Sequence, residues 1–133
     1  MNKRYFTQTE ATEALKLVSP IMGDILGIVK EVSLFKQVSY SNEIELNETM
    51  SEIQSKQHML IHHINELHNL GVRIRDIFYG IVDFPTLDNG KEMYYCWRYD
   101  EPEICFYHGK KCNFAKRKYL YNITNNNNYG TQD

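Results

Sequence analysis

The chain is poor in the residues that punctuate, staple or activate small proteins. Among its 133 residues are only seven glycines and three prolines. Phosphate-cradling loops therefore have little to be built from, and neither a P-loop nor a GxGxxG occurs. A nucleophile elbow and any other catalytic Ser or Cys–His motif are missing too. The three cysteines, Cys96, Cys105 and Cys112, are an odd number with no CxxC pair, which points to a reducing compartment rather than a disulfide framework. No run approaches the roughly 18 apolar residues of a membrane span, so no membrane association is expected. The opening residues lack the apolar core of a secretory signal, so the expected location is cytoplasmic. Net charge is −2, and no field of one sign singles out nucleic acid as a partner. The charge is uneven all the same. Residues 1–71 hold six Lys/Arg and nine Asp/Glu, whereas residues 109–121 hold five Lys/Arg and no acid.

What the chain has is aromatic weight and helical periodicity. Ten Tyr, six Phe and one Trp supplement an apolar fraction of 42 %, enough for the core of one domain. Thr7 fits a helix N-cap, with Glu10 placed to complete a capping box and Phe6 to staple onto Ala11. Ala11, Ala14, Val18, Ile21, Ile25, Ile28, Val32 and Phe35 then recur at spacings of three and four, and Leu15, Met22 and Val29 widen the stripe. The stripe keeps its phase across Pro20, so a kink is expected there and not a break. Helix one is thus placed at 7–37. A turn at 38–42 leads to helix two at 42–70, with Asn42 and Glu45 as a second capping box and Gly71 as the terminating glycine. Leu46, Met50, Ile53, Gln57, Leu60, Ile64 and Leu67 form a heptad seam broken by Gln57. Two helices of about 30 residues, each about 45 Å long, should lie antiparallel as a coiled-coil-like hairpin.

Beyond Gly71 the period changes. Short apolar runs at 72–78 and 81–84, the Asp88-Asn89-Gly90 turn signal, and the aromatic run from Met93 to Tyr99 predict antiparallel strands over 72–108. A basic irregular segment at 109–121 and a polar, disordered tail at 122–133 complete the expectation of a single α+β domain over 1–121.

GIVDFP (Gly80 to Pro85), NGKEMYYCWR (Asn89 to Arg98), EPEI (Glu101 to Ile104) and the following His108 resemble, in that order, a prokaryotic family catalogued as domain of unknown function 2203. The opening YFTQTEATEAL (Tyr5 to Leu15) is similar to that family's start. The resemblance covers about residues 4–118. It implies no activity, and it leaves the cofactor unknown. Two features depart from the family pattern: Asp100 stands where a glycine is frequent, and the later Gly-Phe…Gly-Arg segment appears only as Asn113-Phe114-Ala115-Lys116-Arg117.

Four groups of residues could carry function. Asp83, Trp97, Arg98, Glu101, Glu103 and His108 form a candidate polar and aromatic cluster on the strands. A hairpin turning at 100–102 would oppose Trp97 to Phe106, Tyr95 to His108 and Arg98 to Cys105, leaving a face that could bind a protein partner; a slip of one residue would reverse every side chain. Asp83 and His108 on one face could act as an acid/base or metal pair, while Arg98 paired with Glu101 or Glu103 would only fix the sheet. Cys96, Cys105, His108 and Cys112 are zinc-type donors at poor spacing, and His58 and His62 are four apart on helix two. Lys110, Lys111, Lys116, Arg117 and Lys118, interleaved with aromatics, could hold single-stranded RNA. The hairpin cannot bury a wide stripe alone, which favours a homodimer. The sequence thus predicts an oligomerising, non-enzymatic interaction module. A metal-binding protein or enzyme using Asp83, Glu103 and His108, and an RNA-associated protein using 110–118, are the alternatives. The sequence does not itself decide whether the chain is an enzyme.

Overall fold

A computed structural model describes residues 3–37, 41–110 and 116–120. Lys111, Cys112 and the tail expected to be disordered lie outside these residues. The order of elements is α1 (Gln8–Phe35), α2 (Glu43–Leu70), β1 (Arg73–Asp76), β2 (Ile81–Asp88), β3 (Lys91–Arg98), β4 (Phe106–Gly109) and β5 (Lys118–Tyr119). The α+β expectation holds: a helical hairpin is followed by an antiparallel sheet.

Local chemistry sets the helix ends. At α1 the Thr7 hydroxyl accepts from the Glu10 N–H at 3.1 Å, and the Glu10 carboxylate accepts from the Thr7 N–H at 2.9 Å. This is the expected capping box, and it satisfies two otherwise orphaned donors. Pro20 lies exposed inside an unbroken helix, as its phase-neutral position predicts. The second box is only half formed. Asn42 caps the Glu45 N–H at 2.8 Å, but Glu45 turns to the Ser41 backbone and hydroxyl instead of Asn42. Gly71, at φ 93°, ends α2 in a Schellman arrangement, with Gly71 N–H bound to His68 O and Val72 N–H to Leu67 O.

The sheet is a simple meander, β1-β2-β3-β4-β5, antiparallel throughout. One face carries Ile74, Val82, Phe84, Tyr95, Trp97 and Tyr107 into a core shared with Ala11, Val18, Met22, Ile25 and Leu67 of the helices. Phe6 closes that core edge-on against Phe84, and its N–H binds Pro85 O, extending the sheet beyond β1. The two helices bury very different shares. Five residues of α1 are buried, and they run from Ala11 to Ile28. Leu67 alone is buried on α2. The expected seam therefore holds only in part. Ile53, Leu60 and Ile64 are half-buried and Leu67 is buried, while Leu46, Met50 and Gln57 stand exposed.

Two strand expectations need correction. The β3–β4 register is Cys96↔Phe106, Tyr95↔Tyr107 and Tyr94↔His108, one residue away from the pairing expected. The connection does not turn tightly at 100–102. Trp97 Nε1 donates to Glu101 O at 3.0 Å and Glu101 N–H to Arg98 O at 2.8 Å, winding the chain back under Trp97 before β4 begins. The basic segment expected to be irregular also supplies β5, whose Lys118–Tyr119 pair Tyr107 and Phe106.

Candidate functional site

The slip of one residue decides what shares a face. Antiparallel partners point the same way, so Asp83, Cys96, Tyr94 and His108 lie together on the face turned away from the helices. Trp97 and Tyr95 point to the opposite face and into the core. The expected aromatic and charged binding face is thus split between two sides of the sheet.

Asp83, Cys96 and His108 come from three adjacent strands, and their donor atoms all lie within 4.8 Å of one another. All three are buried although they face away from the helices. Arginines supply the cover. Arg75 Nε donates to Asp83 Oδ2 at 2.5 Å. Arg117 lies 3.8 Å over the Phe106 ring, is paired with Glu101 at 2.8 Å, and its positive charge favours the Cys96 thiolate against burial. The Tyr94 ring stacks on His108 at 5.4 Å.

The hydrogen-bond inventory is closed. His108 Nε2 meets Asp83 Oδ1 at 2.9 Å, and Nδ1 meets Gly109 O at 2.8 Å. A carbonyl only accepts, so Nδ1 carries a hydrogen, and one further proton is shared across the Nε2–Oδ1 contact. Arg75 fills the other carboxylate oxygen. Burial first, and then the charge of Asp83, pushes the Cys96 thiol up to about 12. Among the described residues, no buried side-chain nitrogen or oxygen lacks a partner. A dication here would have to displace the protons of a buried thiol and of the His–Asp contact, beside two guanidinium groups. The arrangement links three strands, and all three donor residues are buried.

The remaining candidates disperse. Arg98 pairs with Asp100 at 2.5 and 2.9 Å, and of the two expected partners Glu101 also acts on it, accepting its backbone N–H. Asp100 is the residue standing where the resemblance expects glycine. Glu101 accepts from the Arg98 N–H and from Arg117. Glu103 meets the Cys105 thiol at 3.7 Å, and burial and Glu103 together raise that thiol. Trp97, Glu101 and Glu103 do share the lining of a cavity of about 310 Å³ with Leu15 and Lys16 of α1. On α2, His62 and His63 both approach Glu66, at 3.7 and 2.8 Å, while His58 stands outside that group. Among the described residues the histidines form no cluster of three metal donors. Lys110, Lys116 and Lys118 are exposed or half-exposed, but Arg117 of the expected RNA-binding run is committed to Glu101 and Phe106.

Sequence reasoning missed Arg75 and the role of Arg117. The alternation of Arg73 and Arg75 with apolar Ile74 was the available signal: a strand with one basic face needs acidic or aromatic groups beneath it.

A family profile described as "Uncharacterized conserved protein (DUF2203)" matches residues 4–120. The chain belongs to this family. No curated protein and no solved structure matches it. The DUF2203 match spans both helices and all five strands, so the buried Asp83–Cys96–His108 cluster and its arginine cover lie inside the family domain. Among the described residues no helix is long and apolar enough to cross a membrane.

Proposed function

We propose that this DUF2203 protein is a non-enzymatic interaction module whose helical hairpin associates with a second copy of itself. One observation carries the reading. Leu46, Met50, Gln57 and Ile61 fall on one line down α2, four, seven and four residues apart, and all are exposed, Met50 at 59 % and Ile61 at 56 %. Asn47, Gln54 and Asn65 flank this line, Glu43 stands at its N-terminal end, and Glu45, Glu48, Glu52 and Glu66 lie on the far side of the helix. A twofold interface sets one patch against itself, so a patch of one charge repels its mate. An apolar line edged by amides does not, because each Asn or Gln is both donor and acceptor and can pair with its own kind. Phe78, 72 % exposed, borders an adjoining groove of about 220 Å³ between α1 and α2. The partner-facing surface thus moves from the sheet to the hairpin, because the slip of register sends Trp97 and Tyr95 into the core.

Light scattering across a concentration series tests the proposal. The native chain should reach twice the monomer mass, and a Leu46→Glu, Met50→Glu, Ile61→Glu variant should stay monomeric with unchanged helical circular dichroism. A native chain that is monomeric at every concentration sinks it. The second reading, a metal protein, rests on the Asp83, Cys96 and His108 donor set. Stoichiometric metal in the purified native chain, lost in Cys96→Ser, would put that reading first.

A further inference from the structure

At the end of the molecule remote from the hairpin tip, a cavity of about 420 Å³ opens between the N-terminal segment, the end of α2 and β1. Lys3, Arg4, His68, Asn69, Gly71, Val72, Arg73 and Pro85 line it. Three of these are permanent cations, and none is a carboxylate.

The cations differ in how they are engaged. Lys3 is paired with Glu92. Arg4 donates to Leu70 O at 3.3 Å and lies 4.3 Å over the Phe6 ring. Arg73 donates to the Tyr94 hydroxyl at 3.0 Å and lies 5.3 Å from the Tyr94 ring centre. Both guanidinium groups are therefore held in place by a neutral acceptor and an aromatic ring, and among the described residues neither lies within ion-pair distance of a carboxylate, the charge of Arg4 acting only at longer range on Glu10. The nearest acids are committed elsewhere. Glu92 is taken by Lys3, Tyr94 and Tyr5, and Glu10 by the capping box. Asp83, whose backbone Arg73 faces across the strands, is filled by Arg75 and His108. Elsewhere on this sheet arginines find carboxylates, Arg75 at Asp83, Arg98 at Asp100 and Arg117 at Glu101. The two that do not are the two that share a concavity.

We infer that this cavity is a binding site for a phosphate monoester, its dianionic head group taken between the Arg4 and Arg73 forks with Lys3 and the His68 ring at the rim. A guanidinium fork matches two phosphate oxygens at once, and two forks balance a dianion where a single carboxylate would leave charge uncompensated. The volume exceeds what a bare phosphate fills. Val72 and Pro85 give the organic part an apolar wall, and the Asn69 amide gives it one polar contact. Gly71 keeps the floor open: its φ of 93° requires glycine, and a Cβ there would press on the Arg4 side chain at 2.9 Å.

The test is calorimetric titration of the full chain with phenyl phosphate, inorganic phosphate and benzoate, in chloride buffer of matched ionic strength. Phenyl phosphate should bind saturably at one site, more tightly than phosphate, and benzoate weakest. Arg4→Gln and Arg73→Gln should each weaken phenyl phosphate by about tenfold or more. Arg73→Lys should lie between, and Lys116→Gln with Lys118→Gln should change nothing. Should the arginine variants misfold, amide shifts of the native chain on adding phenyl phosphate decide, and they should concentrate at residues 3–4 and 68–73. Non-saturable binding, equal affinity for benzoate, or shifts centred elsewhere would overturn the assignment. So would a single-stranded oligonucleotide that binds more tightly than phenyl phosphate and loses affinity with the same arginines, since the site would then belong to a polymer. None of these readouts depends on whether the chain dimerises.

Discussion

The two halves of the helical hairpin carry the same kind of apolar pattern and meet different fates. In the half beside the sheet, Ala11, Val18, Met22 and Ile25 of α1 and Leu67 of α2 are fully buried. In the other half, Val32, Phe35 and Ile53 are only half-buried, and Leu46 and Met50 are exposed at 38 and 59 %. Nothing in local propensity separates them. What differs is whether a third layer lies above. The buried positions of α1 stop at Ile28 and α2 buries only Leu67 near its end, although each 28-residue helix runs on for about 42 Å. A heptad pattern reports a capacity to be covered and says nothing about which chain supplies the cover.

The largest test of this contrast lies in the sheet. Asp83→Ala leaves His108 and Arg75 facing a void, and removing one member of a buried ion pair costs about 3–5 kcal/mol. Chemical denaturation should show that loss in the midpoint. Asp83→Leu combined with His108→Leu should recover much of it if the cluster is purely a strand lock. A single Asp83→Ala substitution costing under about 1 kcal/mol would mean that the pair is not needed to hold the strands.

Next comes a comparison within α2. Leu67→Ala removes a fully buried side chain and should cost about 2–5 kcal/mol. Leu46→Ala, at the exposed outer end of the same seam, should change monomer stability by no more than about 0.5 kcal/mol while weakening self-association. Equal effects measured at low concentration would mean that the hairpin's outer half is packed against something within the chain, and the contrast would collapse.

The same contrast explains what the sequence discloses. Features closed within a few residues were legible: the Thr7–Glu10 box, the Gly71 terminator, and the β2–β3 hairpin, whose Asn89-Gly90 loop has φ of 52° and 79° and leaves no freedom of register. The β3–β4 register was not, because a seven-residue connection admits either phase. The choice rests on Trp97 reaching the core and on its indole N–H finding Glu101 O. The candidate site was legible only in part for the same reason. Asp83 and His108 could be suspected as a pair, but Arg75 and Arg117, which seal them, depend on strand pairings that no short motif specifies. Asp100, a departure from the family pattern, was visible as a residue but its link to Arg98 was not.

The smallest effect concerns how the N-terminal segment is tied to the sheet. Glu92 on β3 accepts from Lys3, Tyr94 and Tyr5, and these bonds hold its carboxyl down at about 2 from an ordinary 4.5, Lys3 contributing most. A depressed folded value means that the unfolded chain takes up a proton which the native carboxylate refuses. The stabilisation is therefore complete above about pH 4.5 and drains away as pH falls toward 2. Glu92→Gln keeps the shape and loses the charge. Its melting temperature should lie slightly below that of the native chain at neutral pH, and the two curves should converge through that acid window. Salt should shrink the gap, because the pair is solvent-accessible. Glu45 at the hairpin's outer end is also lowered, chiefly by Ser41, but it ties together only neighbours in sequence. Glu45→Gln should therefore leave the acid limb almost unchanged. If the two variants shifted that limb equally, the N-terminal segment would be contributing no more to the fold than an exposed helix cap does, and the anchored end would lose one of the ties that set it apart.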